Sequence, residues 1–107
     1  MAVFSVRCIF RWQSRPDQVR KHIYEERITL WKANDIDEAI ALAEREAQTY
    51  ASDSGEEYLE FSQAYALVEE PETNGIEVFS LLRESDLEPS QYLDAFFATG
   101  SERERVA

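Results

Sequence analysis

Alternation between apolar and polar residues begins at the start of the chain. From residue 3 to residue 12, one side of the pattern is apolar and consists of Phe4, Val6, Cys8, Phe10 and Trp12. The opposite side is mostly polar and consists of Ser5, Arg7, Ile9 and Arg11. Because a period of two is typical of a strand with one buried face, residues 3–12 are predicted to form the first strand.

Residues 23–33 are rich in β-branched and aromatic types and predict a second strand. The intervening residues 13–21 contain Pro16-Asp17 and several charges, which indicates a loop. The two strands are therefore expected to pair as a hairpin. In the second strand we predict that Ile28 and Leu30 face the core, whereas Arg27, Thr29 and Trp31 face the opposite side.

A helical period follows these strands. Apolar residues recur at helical spacing at Ile36, Ala39, Ile40, Ala43, Ala47, Tyr50 and Ala51. Asn34 or Asp35 can cap the first turn, because a short side-chain oxygen accepts an otherwise unpaired backbone N–H. Asp35 and Glu38 also have the spacing of a capping box. Gly55 can take the left-handed conformation that ends a helix, so one main helix is predicted between these caps.

Two more strands and a short helix complete the pattern. Residues 57–68 predict a third strand in which Leu59, Phe61, Tyr65 and Leu67 face inward and Glu60, Ser62 and Ala64 face outward. Residues 69–75 contain Pro71 and Asn74-Gly75, which indicates a turn, and residues 76–83 predict a fourth strand. Pro89 fits the first turn of a closing helix that Gly100 would end. The apolar stripe of this helix is Tyr92, Leu93, Phe96 and Phe97.

The predicted fold class is α+β with two layers. A four-stranded antiparallel sheet, in the order β-β-α-β-β, is packed by one main helix, and a short C-terminal helix follows. We predict a single domain over residues 1–100 and a flexible charged tail over residues 101–107. Hydrophobic residues make up 44% of the 107 residues and aromatic residues 12%, which suffices for one packed core and excludes disorder for most of the chain.

The net charge of −11 is unevenly distributed along the chain. Residues 1–33 hold 7 basic and 3 acidic residues, whereas residues 34–60 hold 1 basic and 9 acidic residues, and residues 61–107 hold 3 basic and 10 acidic residues. The negative total repels phosphate backbones and disfavours nucleic-acid binding.

The sequence also predicts a cytoplasmic protein without a membrane partner. No apolar run approaches the roughly 20 residues of a membrane-spanning helix. The N-terminus lacks the basic start and apolar run of a secretory signal. The single cysteine excludes an internal disulfide.

No catalytic or metal-binding set emerges from the residue types. His22 is the only histidine, so it cannot build a histidine-based metal site, and we expect it to be exposed. Cys8 lies on the apolar side of the first strand and is expected to be buried and inert. Glu25 and Glu26 are adjacent on a strand, so they point to opposite faces and do not share a site. The glycines stand isolated, which excludes a glycine-rich phosphate loop. The sequence therefore predicts no catalytic residue, metal or cofactor and argues against an enzyme.

The predicted sheet has a second face that the main helix leaves uncovered, and this face is the candidate binding site. If alternation holds through all four strands, the face carries Arg7, Ile9, Arg11, Arg27, Trp31, Phe79, Leu81 and Arg83. Arginine combined with aromatic and aliphatic residues is enriched at protein interfaces. Three interpretations stay open: the closing helix covers the face, two copies meet through it, or it binds another partner or a small anionic ligand. One β-bulge would reverse the facing of a strand segment.

Several segments resemble the bacterial DUF4288 family over nearly the whole chain. They are Tyr24-Glu-Glu-Arg-Ile28, the helix from Asp35 to Ala47, Tyr58-Leu59, Glu77-Val-Phe-Ser80, Tyr92-Leu-Asp-Ala-Phe-Phe97 and Thr99-Gly100-Ser-Glu-Arg103. The resemblance implies a small bacterial α+β protein. The family is one of unknown function, so the resemblance supplies no catalytic or binding residues.

The leading hypothesis is a non-enzymatic protein-interaction module, in its most specific form an acidic inhibitor or immunity-type partner of a basic protein. Complementary charge would accelerate that association. The first alternative is a module that binds a small anionic ligand through Arg7, Arg11 and Arg27 beside Trp31. The second is a homodimeric structural protein, for which Arg27→Glu or Trp31→Ala is expected to break the dimer.

Overall fold

A computed structural model of the protein describes residues 2–67 and 75–97, and the backbone of residues 103–106. The elements are β1 (Ala2–Trp12), β2 (His22–Ala33), α1 (Ile36–Ser54), β3 (Glu57–Ala66), β4 (Glu77–Ser85), α2 (Pro89–Phe96) and β5 (Arg103–Val106). The four predicted strands form an antiparallel sheet that α1 packs against, and α2 is the predicted short helix. The α+β prediction is therefore confirmed.

The sheet has the strand order β4-β2-β1-β3-β5, and every neighbouring pair is antiparallel. β1 lies at the centre, and β4 is the terminal strand on one side. The fifth strand was not predicted, because residues 101–107 were assigned to a flexible tail, whereas Arg103–Val106 pairs with the segment Phe61–Ala64 of β3. Four residues are too few to give a periodic signal, and this strand is specified by the free backbone groups of β3.

Both predicted caps of α1 are confirmed. Asp35 is the N-cap, since its Oδ1 accepts a hydrogen bond from the backbone N–H of Glu38 at 2.8 Å. Gly55 ends the helix with φ of 76°, and its N–H donates to the carbonyl of Ala51 at 2.9 Å. Between the caps, one face of α1 packs on β1 to form the first core. Its members include Phe4, Val6, Cys8, Phe10, Ala39, Ile40, Ala43, Ala47 and Ala51. The small alanine side chains let the helix approach the sheet closely.

The predicted facing of β2 is wrong. In the antiparallel register, Arg27 lies opposite Cys8 and Trp31 lies opposite Phe4, and directly opposite residues share a face of the sheet. Arg27, Thr29 and Trp31 therefore face α1, and Ile28 and Leu30 face away from it. The error has a physical reason: Arg27 is neutralised by acidic partners and the Trp31 indole donates to Thr29 at 2.6 Å, so polar groups occupy the buried side.

The residues of β3 alternate as predicted, but α1 covers the face that was predicted to point outward, and the strand also contains a bulge. The register with β1 shifts between Cys8 and Phe10, and Glu60 takes a left-handed backbone conformation with φ of 59°. After the bulge, Ser62 and Ala64 lie opposite Cys8 and Val6 and so face α1. The residues predicted to face inward within β3, namely Leu59, Phe61 and Tyr65, lie on the other face of the sheet. The turn prediction at residues 69–74 and the helix stop at Gly100 fall outside the described residues.

A second core forms on the sheet face that α1 leaves uncovered. It joins Ile9, Tyr24 and Phe61 of the sheet to Tyr92, Leu93 and Phe97 of the α2 segment. The rings of Tyr24 and Tyr92 stack with centroids 4.0 Å apart. The buried Gln63 amide donates to the carbonyl of Phe97, and the Tyr24 hydroxyl donates to the carbonyl of Leu87 at 2.7 Å. These two bonds hold the ends of the α2 segment over the sheet.

Candidate functional site

The structure separates the eight predicted site residues into three groups. Arg27 and Trp31 face α1, so their assignment to the outer face is wrong. Ile9 is fully buried beneath α2, as expected if the closing helix covers part of the face. The remaining five share the outer face; they are Arg7, Arg11, Phe79, Leu81 and Arg83. Of these five, only Phe79 and Leu81 present large exposed apolar side chains.

The arginines of the outer face are engaged within the molecule. Arg7 pairs with Glu26 at 2.8 Å, and its guanidinium lies over the ring of Phe97. Arg11 pairs with Glu57 at 2.5 Å. Arg83 donates to the Tyr92 hydroxyl at 3.0 Å and lies over the ring of Phe96. An anionic ligand would have to compete with the carboxylates, and Arg27 lies on the opposite face, so the guanidinium groups do not converge on one ligand.

The exposed apolar surface is concentrated on β4 and the residue before it. We call Ile76, Val78, Phe79, Leu81 and Leu82 the β4 patch. Their side chains are between 37% and 52% exposed. Leu82, opposite Glu25, shares the face that carries α1, and Phe79 and Leu81, opposite Ile28 and Glu26, share the face that carries α2, whereas Val78 lies at the register shift between Phe79 and Glu77. No apolar residue of β4 belongs to either core, since α1 packs on β1, β2 and β3. Apolar side chains on both faces of a terminal strand mark an interaction surface.

The backbone edge of β4 is open on one side. β4 pairs with β2 from Glu77 to Ser85, and no other strand pairs with it in the part of the chain that the structure describes. Natural edge strands are protected by central charges, proline, strong bulges or a covering element. Residues 78–82 hold neither charge nor proline, and the one register shift, between Ile28 and Thr29 of β2, leaves Val78 as the extra residue at the start of this run. The open edge of β4 therefore exposes backbone N–H and C=O groups together with apolar side chains.

The loop between β1 and β2 is fastened to the far end of β4. The Glu84 carboxylate accepts hydrogen bonds from the backbone N–H groups of Val19 and Arg20 at 2.9 and 2.8 Å. Asp86 accepts from the Lys21 backbone at 3.1 Å and pairs with Arg20 at 2.9 Å. The loop and the strand enclose a pocket of about 430 Å³ lined by Arg15, Asp17, Gln18, Ile23, Leu82, Arg83 and Glu84. One end of the β4 patch thus opens into a pocket of mixed charge.

The buried titratable groups on the α1 face are engaged in structural hydrogen bonds. Glu25 is 3% exposed and accepts hydrogen bonds from Trp12, Tyr50 and Ser80, at 3.2, 2.9 and 2.6 Å. Burial, together with the Glu25 carboxylate, raises the pKa of Tyr50. Burial and then the charge of Glu25 also raise the pKa of Glu56. The Glu25 carboxylate thus joins β1, α1 and β4 through the donors of Trp12, Tyr50 and Ser80.

The side chains of Cys8 and His22 are also held within the fold. Cys8 is buried, as predicted, and its burial raises the pKa of the thiol to about 12. The prediction that His22 is exposed is wrong, because its side chain is only 15% exposed. Its Nε2 lies 3.0 Å from a Glu88 carboxylate oxygen, and its ring lies against Tyr24. Across residues 2–67 and 75–97, no three histidine, cysteine or acidic side chains are grouped to hold a metal ion.

Sequence reasoning missed Ile76, Val78 and Leu82 as members of the exposed surface. The run from residue 76 to residue 82 is apolar on both faces, a pattern that usually indicates a strand buried in the middle of a sheet. Only the strand order shows that β4 is terminal. The site is therefore identified by two observations together: β4 is apolar on both faces, and the strand order of the sheet places it at an edge.

No protein-family model matches this chain, and neither a curated protein nor a solved structure is similar to it. The resemblance to the DUF4288 family stays a prediction. None of the helices within the described ranges has the length and apolar character needed to cross a membrane.

Proposed function

We propose that this protein is a non-enzymatic protein-interaction module that binds its partner along the open edge of β4. The observation that carries this proposal is the position of the β4 patch on both faces of a terminal strand. An extended segment from a partner could add to the sheet there, with backbone hydrogen bonds supplying affinity and the flanking side chains supplying specificity.

The composition around β4 supports binding of a protein. Phe79, Leu81 and Phe96 are exposed aromatic and aliphatic groups, and Arg83 lies beside them over the Phe96 ring at 4.5 Å. Aromatic residues and arginine are enriched where proteins meet, and charged residues are depleted at the centre of such contacts. The strand between Glu77 and Arg83 matches this description, since its five central residues carry no charge.

The acidic form of the hypothesis, an inhibitor or immunity-type partner of a basic protein, rests on net charge. Residues 34–60, which hold 9 of the acidic residues, form α1 and the first part of β3. This charge would accelerate the approach of a basic protein. Its β3 residues are separated from β4 by two strands, whereas Glu46 of α1 shares Arg27 with Glu77 of β4.

Site-specific photo-crosslinking in the native cell tests the proposal. A photoreactive phenylalanine analogue at Val78 is expected to give discrete covalent adducts with protein. The same analogue at Val19, a valine in the β1–β2 loop that is 89% exposed, serves as the matched control. Adducts at residue 78 that are absent at residue 19 support the proposal. If residue 78 gives no adduct, or the same adducts as residue 19, the edge of β4 is not a binding surface.

A further inference from the structure

We propose that the occupant of the β4 edge is a second copy of this chain, so that two sheets join into one continuous sheet about a two-fold axis. This inference rests on the proposed function of the β4 edge as a binding surface. Two-fold dimers are the commonest closed assemblies, and their interface must be complementary to itself. Two copies of β4 can meet in this way only if the strands run antiparallel and the axis passes through one residue.

The sequence of β4 is complementary to itself when the axis passes through Ser80. Val78 then lies opposite Leu82 of the partner subunit, and Phe79 lies opposite Leu81 of the partner subunit. The two Phe79–Leu81 pairs lie on the α2 face of the joined sheet, and the two Val78–Leu82 pairs flank them at the bulge of each strand. Cross-strand apolar pairs of this kind are the unit that stabilises a sheet.

Registers in which the two-fold axis passes through Leu81 or Phe79 do not give these apolar pairs. An axis through Leu81 would set Phe79 opposite an arginine and Val78 opposite a glutamate. An axis through Phe79 would set Leu81 opposite Glu77. Each alternative places a charged group against an apolar one within residues 78–82, whereas the register centred on Ser80 does so only at Ile76, opposite Glu84, so the Ser80 register is favoured.

The distribution of charge permits contact between two copies of an acidic protein. Near the axis, Glu77 and Glu84 are accompanied by Arg27, which pairs with Glu77 at 2.6 Å, and by Arg83. Glu46 of α1 shares Arg27 with Glu77, and the acidic residues of β3 are three strand spacings from β4, or roughly 14 Å. Charges at that distance are largely screened at physiological salt, where the Debye length is about 8 Å. The remaining repulsion is long-range, so added salt should strengthen the dimer.

Two measurements test the register and the occupant. The first is oxidation of single-cysteine variants at the exposed positions 79 and 81, which share the α2 face. Opposite residues of an antiparallel pair have Cα atoms about 5 Å apart, which suits a disulfide, whereas two copies of the same position would be about 8 Å apart, beyond the reach of a disulfide. An equimolar mixture of Phe79→Cys and Leu81→Cys is therefore expected to form a disulfide-linked dimer, and each variant alone is expected to stay unlinked. Cys8 is buried and stays in place as an unreactive thiol.

The second measurement is light scattering of the unmodified chain over a range of protein and salt concentrations. We expect the mass to rise from 12.4 kDa to twice that value with protein concentration, and the dimer Kd to fall as salt is raised. A basic partner would show the opposite dependence on salt, because its attraction would be screened.

The outcomes separate this inference from the proposed function. Cross-linking in the mixture alone, with a dimeric mass, supports the second copy. A monomer at every concentration, or equal cross-linking of the mixture and the single variants, overturns the inference. If the photoreactive residue 78 then gives an adduct with a different protein, the binding edge stands without the dimer. If it gives no adduct, both the inference and the proposed function fail.

Discussion

Replacement of Arg27 by methionine should destabilise the protein strongly, and the same change at Arg11 should not. Arg27 is 8% exposed and lies between β2 and α1. Its guanidinium donates to Glu46 at 2.5 and 3.0 Å and to Glu77 at 2.6 Å, and it lies 3.9 Å from the ring centroid of Tyr50. Methionine retains much of the aliphatic volume but removes the charge and every donor.

The expected loss of stability in Arg27→Met follows from the two carboxylates that the substitution leaves without a partner. Removal of one partner from a buried ion pair costs about 3–5 kcal/mol, because the other charge remains without compensation. The carboxylate side chains of Glu46 and Glu77 are 30% and 41% exposed and can recover part of their hydration. We therefore expect a loss of about 2–3 kcal/mol in the free energy of unfolding, which lowers Tm by roughly 10–20 °C for a domain of this size.

Arg11 provides the matched control. Its side chain and that of its partner Glu57 are 32% and 55% exposed, and exposed ion pairs contribute about 0.2–1 kcal/mol. Urea unfolding followed by tryptophan fluorescence measures both variants. Equal losses below about 1 kcal/mol would mean that Arg27 faces solvent, as the sequence predicts, and would refute the placement of β2. Adding Glu46→Gln to Arg27→Met should restore part of the lost stability, because it removes a carboxylate left without its partner.

Three further predictions concern single groups. Asp35→Ala should cost about 1 kcal/mol by urea unfolding, because the substitution removes the cap on the Glu38 N–H; an unchanged midpoint would move the cap to Asn34. Cys8 should resist labelling by a thiol reagent at pH 8 in the folded protein and react at once in urea, because burial raises its pKa to about 12; fast labelling without denaturant would contradict its burial. Burial raises the folded-state pKa of Glu56 above its ordinary 4.5, so its contribution to stability is present below that pH and is lost as pH rises through the folded value. Glu56→Gln should therefore gain stability relative to the wild type between pH 4.5 and 7, and a constant difference in urea midpoint over that range would contradict this.

The helix and its caps could be predicted because their signals are local. The alanine-rich face, the Asp35 oxygen and the left-handed Gly55 are all specified by residues within α1 or next to it. The first strand was equally clear, since its α1 face is uniformly apolar and its opposite face is mostly polar.

The facing of β2 and β3 could not be predicted because both faces of the sheet are covered. The α1 face of β2 holds Glu25, Arg27 and Thr29, which are buried polar residues, whereas the α2 face holds Tyr24. Polarity therefore does not identify the solvent side of these strands. In β3 the bulge at Glu60 shifts the register with β1 by two residues and so leaves the alternation of faces unchanged; the prediction failed only in which of the two faces α1 covers.

Only part of the candidate site could be predicted, because the sequence does not show which parts of the sheet the helices cover. Phe79 and Leu81 were assigned to the outer face, and the structure places them there. Their exposure depends on two facts that the sequence does not state: β4 is the terminal strand, and α2 covers Ile9 and Tyr24 rather than β4. The arginines resemble interface residues by type, but Arg7 and Arg11 pair with acidic residues that are distant in sequence.

Amide hydrogen exchange of β4 at low and high protein concentration tests whether the open edge of this strand pairs with a second strand. In a monomer, the backbone N–H groups that point away from β2 lack a strand partner and should exchange rapidly, since unprotected edges open at little cost. The account predicts that alternate amides between Glu77 and Ser85 become protected as concentration rises, while those of α1 keep their rates. Exchange rates in β4 that do not depend on concentration, and do not change with any partner that cross-links at residue 78, would contradict the account.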